Sequence, residues 1–541
     1  MSVGLISAER KRGAYFTPQA IASILSAWAV RSPTDRVLDP SAGDGELIVS
    51  AVQRLRALGA RPGSERVEGV EIDQGSAARA KDRLSSLGAS GTIYIVSAFP
   101  SNGLLKPGYD GMVVNPPWVR YQLFSGEIRR HALEEARAHG VELSGRTSFW
   151  APYLVYAASL LAPNGRLAAV VPAEIIAADY AQPIRDYLLR RFGRIRLLAF
   201  DAPCFSEVEV QPLVLLSDNE GSDGLEMWRL AKPEDVDLES QRATPIGACT
   251  PLLGARWTGL FAGTGASLWD TLCQHSDIVR LGSIAAIGLG IVTGSDRFFM
   301  LSRETISSWE LPEICLVPAL TTLKHASGLR ITSADWQSMG ASGKPVYMFR
   351  GPLQGEELTA NAAAYVKHGE TSGYNLSYKC RIRDPWYSLR LPAPSQALLT
   401  YMVGTLPRIV LNEAQLLSTN LAHRVDFIQG SFSPRAVAAS ATSTLTQISA
   451  ELEGRSYGGG VLKLEVGDAR RLQVVLPSQA ATASLERNFE QIDRLLKNSD
   501  VEAAASLVDR IVLSDQLGLT HAQLNELRVM LARLRARRLH S

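Results

Sequence analysis

Three short segments hold residue types able to do chemistry together. The apolar pair Val37-Leu38 runs into Asp39-Pro40-Ser41-Ala42-Gly43-Asp44-Gly45, Val67 to Ile72 carries Glu71 near its end, and Met112-Val113-Val114 leads directly into Asn115-Pro116-Pro117-Trp118. Each reads as a buried strand followed by a polar turn, and the carboxyl ends of parallel strands are where α/β folds bind ligands. Glycines in the first turn let the backbone approach a ligand closely. A dinucleotide is a poor fit, because the third glycine of its fingerprint is replaced by Ile48 and Asp39 would repel a pyrophosphate. An acid at the end of the first strand suits a cationic ligand such as a methionine ammonium. An acid at the end of the second, Glu71, suits the two hydroxyls of a ribose. Together they favour S-adenosylmethionine over NAD. In the third turn two prolines lock φ and remove two donors, which leaves a stiff corner of carbonyl acceptors beside an aromatic ring, suited to holding a planar amino group.

The elements that position these turns alternate from residue 19 to 216. Apolar spacing predicts helices over 19–30, 46–58, 76–87, 149–161 and 180–192. Strands are expected at 36–38, 67–72, 92–96, 111–114, 167–171, 195–200 and 208–216. Strands separated by helices in this order imply a doubly wound, mainly parallel α/β sheet. The loop 217–224 is rich in Ser, Asp and Gly. Beyond it, to about 478, short segments punctuated by Gly and Pro suggest a mixed α+β or β-rich domain. Helical stripes return at Leu485, Phe489, Ile492, Leu495 and Leu496, and at Leu524, Leu527, Leu531 and Leu534. The expected division is 1–235, 236–480 and 481–541.

Bulk properties narrow the class. The chain has 541 residues, 46% hydrophobic and 20% charged, with 56 Lys+Arg against 54 Asp+Glu. That is ordinary for a globular protein of about two to four domains. No apolar run reaches membrane-spanning length and no secretory segment is present, so a cytoplasmic protein without a membrane partner is expected. Five cysteines without a C-x-x-C pair suggest reduced thiols and no zinc site.

The motif order resembles the amino-methylating DNA methyltransferases of type II restriction-modification systems, in the group whose cofactor motif precedes the catalytic motif and whose recognition domain follows both. Gly13-Ala14-Tyr15-Phe16-Thr17-Pro18 resembles that group's N-terminal motif, residues 39–45 its glycine-rich motif, and Asn-Pro-Pro-Trp its catalytic motif. The resemblance implies cofactor contacts from Tyr15, Thr17, Pro18, Asp39, Pro40, Ala42, Gly43, Gly45, Glu71, Ile72, Ala98, Phe99 and Asn115. It implies catalytic roles for Asn115, Pro116, Pro117 and Trp118, with Phe205 as a second stacking aromatic. The expected reaction is methyl transfer from S-adenosyl-L-methionine to N6 of a flipped-out adenine in duplex DNA. An N4-cytosine target uses the same amine chemistry and stays open, as does, further off, an RNA or protein amide.

Two departures stand out. Many members place an acid after the third strand, where this chain reads Ser97-Ala98-Phe99. Pro203-Cys204 imitates the nucleophile dipeptide of cytosine-C5 enzymes but follows the last helices, so Cys204 reads as incidental. The C-terminal half suggests an extended substrate. Lys379, Arg381 and Arg383, if extended, would share one face ahead of Trp386 and Tyr387 and contact DNA phosphates. A cognate restriction endonuclease is expected as a separate chain, since the motifs begin at Gly13, and a monomer is favoured.

Overall fold

The computed structural model describes residues 17–99, 103–119, 125–145, 147–201, 204, 212–220, 224–238, 245, 247–249, 253–254, 256–261, 265–351, 357–428, 430, 432–457 and 460–539. The chain divides into two compact units, Met1–Gly263 and Thr264–Ser541.

In the first unit helix α1 (Gln19–Ala29) leads to β1 (Arg36–Asp39), α2 (Glu46–Ala57), β2 (Arg66–Glu71), α3 (Gln74–Ser86), β3 (Gly91–Ile95) and β4 (Tyr109–Val114). Then come α4 (Gly126–Ala138), α5 (Trp150–Ser159), β5 (Leu161–Pro172), α6 (Gln182–Arg191), β6 (Arg194–Phe200), β7 (Pro212–Asp218), β8 (Gly224–Leu230) and β9 (Gly247–Cys249). The nine strands form one sheet in the order β3-β2-β1-β4-β5-β7-β6-β8-β9. The first five in that order pair parallel, as the alternation predicts. β7 is inserted antiparallel to both β5 and β6.

The central strands read as unbroken apolar runs because both faces are covered. Along β5, Leu167, Ala169 and Val171 enter the core on one side and Ala168 and Val170 the core on the other. β7 divides Leu213 and Leu215 from Val214 and Leu216 in the same way. The first core is filled by α5 and α6, the second by α1, α2 and α3. Each buried Val, Leu or Ile adds about 1.5–3 kcal/mol relative to an exposed one. β5 starts earlier than its sequence suggests. Pro163-Asn164-Gly165 forms an irregular stretch within it, with a register shift against Tyr109 and Gly111 in β4.

Among its described residues the second unit holds two four-stranded sheets, a three-stranded sheet and a two-stranded ribbon, interleaved with helices. The long helices Gln479–Lys497 and His521–Leu539 pack within this unit. Their stripes are buried at Leu485, Phe489, Ile492 and Leu496 and at Leu524, Leu527, Leu531 and Leu534, whereas Leu495, also expected in the stripe, sits at its edge and is only half-buried. No described helix is long and apolar enough to cross a membrane.

Candidate active site

The strand order brings the three chemical turns side by side, since β2, β1 and β4 are neighbours and run the same way. Asp39 ends β1, Glu71 ends β2, and Asn115 follows β4. The turn after β1 folds back over β2, where the Ala42 amide donates to the Val70 carbonyl at 2.9 Å. Two glycines make this crossing feasible. A Cβ on Gly69 would lie 3.0 Å from Ala42 Cβ, and one on Gly45, whose φ is +90°, would lie 2.9 Å from Ala80 Cβ.

Asp39 is fully buried. Its Oδ1 accepts from the Ser41 amide at 2.9 Å and lies 3.3 Å from the Ser41 hydroxyl, while Oδ2 has no partner among the described residues. Burial pushes its pKa up to about 7, opposed by the Ser41 hydrogen bonds and reinforced by Glu71 and Asp44. A buried carboxylate oxygen without a donor is costly until a proton or a neighbouring cation neutralises it. The Tyr153 hydroxyl donates to the Pro40 carbonyl and pins the turn onto α5. Burial first, then the nearby Asp39 and Glu71 carboxylates, hold this phenol well above its ordinary pKa, so it stays a donor.

Glu71 is held by two amides: Gly43 donates to Oε2 at 2.9 Å and Asp73 to Oε1 at 2.7 Å. Each carboxylate oxygen retains acceptor capacity, and the next residue, Ile72, leaves 57% of its surface exposed at the strand end. Ser97, in place of the expected acid, turns inward on its own loop. Its hydroxyl donates to the Phe99 carbonyl at 2.6 Å and accepts from the Phe99 amide at 3.1 Å. Ala98 is half-buried. The Phe99 ring is buried among Phe149, Tyr153 and Tyr156, with centroids 5.2–5.9 Å away. This side chain braces α5, which the tripeptide alone did not reveal.

At the third turn the Asn115 side-chain amide donates to Thr17 Oγ1 at 3.1 Å, which sets the rotation of the carboxamide. The Asn115 backbone carbonyl accepts from the Ser41 hydroxyl at 3.1 Å. Pro116 is buried, while Pro117 is half-buried. Trp118 packs at the margin of both cores. Thr17 and Pro18 immediately precede α1, and Thr17 lies against Asn115. Tyr15 and Phe205 lie outside the described residues. The Cys204 thiol is pushed up to about 11 by burial and then by Glu234, the opposite of an activated nucleophile. Among the described residues no cluster of His, Cys, Asp and Glu could hold a metal ion.

The proposed DNA segment differs from its extended reading. Tyr378–Arg381 is a helical turn, capped by the Ser377 side chain, so Lys379, Arg381 and Arg383 do not form a period-2 face. Lys379 and Arg381 are exposed. Arg383 instead donates to the Val292 and Thr293 carbonyls. Trp386 packs 4.7 Å from Phe298 and 5.8 Å from Tyr387, ring to ring, and donates to Glu370. Sequence reasoning missed Ser41 and Tyr153 as tethers of the first turn. Ser41 carried a local signal, a hydroxyl two residues after a strand-end acid; Tyr153 carried none.

Comparison with known proteins agrees with this geometry. Residues 5–219 match the N-6 DNA Methylase family, and residues 255–513 match the C-terminal domain of type II methyltransferase M.Eco57I. The chain is 22% identical over 530 residues to the type II methyltransferase M.AccI of Acinetobacter calcoaceticus, covering 93% of each protein. It is 23% identical to M.XamI of Xanthomonas campestris pv. amaranthicola, covering 86% of this chain and 85% of that one. The fold is shared with the type IIL restriction-modification enzyme MmeI, solved in complex with DNA, at a TM-score of 0.62 and 12% identity over 98% of this chain and 80% of that one. Taken together, the two family matches and these relatives support an adenine-specific DNA methyltransferase similar to those of type II restriction-modification systems.

Proposed function

We propose that this protein transfers a methyl group from S-adenosyl-L-methionine to N6 of an adenine turned out of duplex DNA, at a short specific site. The observation that carries this reading is the alignment of Asp39, Glu71 and Asn115 at adjacent strand ends, with Ser41 hydrogen-bonded to both the first and the third. Residues 1–235 carry the transfer, 236–480 read the target, and the helices of 481–541 brace the second unit.

The residues fit the cofactor. The unpartnered Asp39 Oδ2 provides negative charge for the methionine ammonium. Glu71, pre-oriented by Gly43 and Asp73, accepts from the ribose hydroxyls, and Ile72 supplies an apolar face for the adenine ring. When bound, S-adenosylmethionine supplies a cationic sulfonium carrying an electrophilic methyl group. The chain's work is positioning. The exocyclic amine of adenine is a weak nucleophile because its lone pair is delocalised into the ring. The Asn115 side-chain oxygen and the Pro116 carbonyl accept its two N–H groups and draw the lone pair out of conjugation. The Asn115 backbone carbonyl already receives Ser41, which leaves the Pro116 carbonyl as the second acceptor. Trp118 offers a stacking face to a base that has left the duplex. Thr17 and Pro18 close the methionine end; Tyr15 and Phe205, assigned to the methionine end and to base stacking by motif resemblance, lie outside the described residues. Orientation and fixed dipoles of this kind account for most of the acceleration that transfer without a covalent intermediate needs.

The protein acts in the cytoplasm, as a monomer, alongside a restriction endonuclease of the same specificity. Expression in a methylation-free bacterial host, followed by modification-sensitive sequencing, tests the reading. N6-methyladenine at one short recurring sequence is expected; an unmarked genome, or marks on cytosine, overturns it.

A further inference from the structure

The second unit carries an exposed apolar patch that its own packing leaves unexplained. Within seven residues Leu376 is 67% exposed, Tyr378 64% and Ile382 60%. Lys379 and Arg381 stand exposed between them. Single exposed apolar residues are ordinary, whereas a cluster of large ones marks a binding surface.

The ground beneath the patch is firmly built. Cys380 is buried, and its thiol reaches the Thr293 carbonyl at 3.8 Å. Arg383 donates to the Val292 and Thr293 carbonyls. Gly294, at φ +87°, brings the two chain segments so close that a Cβ there would lie 2.8 Å from Lys379 Cβ. Trp386 anchors the following residues against Phe298. A short helical turn is thus held from below by backbone contacts, while its apolar and cationic side chains face outward.

Charge selects the occupant. Between residues 376 and 390 the chain carries Lys379, Arg381, Arg383 and Arg390 against the single acid Asp384. Lys379 and Arg381 join no ion pair among the described residues. The Lys379 ammonium lies 5.6 Å from the centroid of the Tyr378 ring. A polyanion with apolar edges matches such a surface, and duplex DNA presents both phosphates and base edges.

We propose that this patch docks the DNA substrate, with Lys379 and Arg381 on backbone phosphates and Leu376, Tyr378 and Ile382 against sugars and base edges in a groove. Arg383, Trp386 and Tyr387 then support the docking turn without touching DNA. The proposal rests on the methyltransferase reading above and adds which surface of Thr264–Ser541 meets the substrate.

The test uses the full-length protein and two variants, Lys379→Ala with Arg381→Ala, and Leu376→Ser with Tyr378→Ser and Ile382→Ser. Binding is measured across a salt series to a short duplex carrying the site mapped by sequencing and to a scrambled duplex. All five positions are exposed, so unchanged melting and unchanged cofactor affinity are expected for both variants. Arg381→Glu alone serves as a single-site control. The charge variant should weaken both duplexes equally, by about tenfold, and reduce the salt slope by about 1.8, or about 0.9 per phosphate contact. The apolar variant should lose about tenfold for the site duplex, less for the scrambled one, and keep its slope. Wild-type binding and methylation in all three variants overturns this proposal alone. So does an effect confined to self-association in sedimentation, or to capture by anionic phospholipid vesicles. A wild-type protein that binds cofactor yet methylates no DNA overturns this proposal together with the reading beneath it.

Discussion

The Ser41 hydroxyl donates to the Asn115 backbone carbonyl at 3.1 Å. It lies 3.3 Å from Asp39 Oδ1 as well, while the Ser41 amide holds that same oxygen at 2.9 Å. One residue therefore ties the turn assigned to the cofactor to the turn assigned to the base, across the ends of two neighbouring parallel strands.

Loss of that tether should loosen the alignment without emptying the cofactor site. Ser41→Ala is expected to lower kcat about five- to tenfold, the equivalent of one net hydrogen bond, with cofactor affinity retained through the Ser41 amide. Single-turnover methylation and a cofactor titration, run side by side, check this split.

Asn115→Ala removes the side-chain acceptor and should cost about 10²–10³-fold or more in kcat. Asn115 is only half-buried, so melting temperature should stay within a few degrees of wild type. Undiminished methylation by this variant would end the assignment of Asn115.

Glu71→Ala strips the acceptor from the Gly43 and Asp73 amides as well as from the ribose. Unpaired amides cost about 1–3 kcal/mol each when shielded from water, so weaker cofactor binding should accompany a lower melting temperature. Glu71→Gln keeps one acceptor oxygen and should recover part of both losses. Calorimetry of the two variants distinguishes them.

Asp39 gives a pH signature. Its folded pKa, raised by burial to about 7, exceeds the unfolded value of about 3.9. The folded state therefore holds the extra proton, and stability falls as pH rises between those values. Asp39→Asn should melt several degrees above wild type near pH 8, with the difference shrinking toward about pH 4. A cation beside Asp39 favours the ionised form, so cofactor binding near pH 6.5 should release protons from wild type and none from this variant. Titrations in buffers of different ionisation enthalpy measure that release; equal release from both proteins would count against Asp39 as the ammonium partner.

Gly45→Val would force a β-branched side chain into φ +90° with its Cβ against Ala80. A destabilisation of about 2–4 kcal/mol is expected, measurable by denaturant unfolding, with cofactor affinity falling alongside.

The parallel sheet, the order of the three chemical turns and the C-terminal helical stripes were legible because each is written in local pattern. Apolar runs bounded by turns specify β1, β2 and β4, and a 3.6-residue period specifies helices such as Gln479–Lys497. Tertiary structure decided what depends on partners distant in the chain. The insertion of β7 between β5 and β6 is a matter of strand order, which no local pattern encodes. Phe99 went to the core because three aromatic side chains from residues 149–156 converge on it. Around Lys379 the alternating charges suggested a strand, yet Ser377 caps a helical turn and Arg383 satisfies the carbonyls of Val292 and Thr293. A cap and a long-range hydrogen bond outweighed the alternation because buried polar groups must find partners, whereas exposed cations tolerate either backbone conformation.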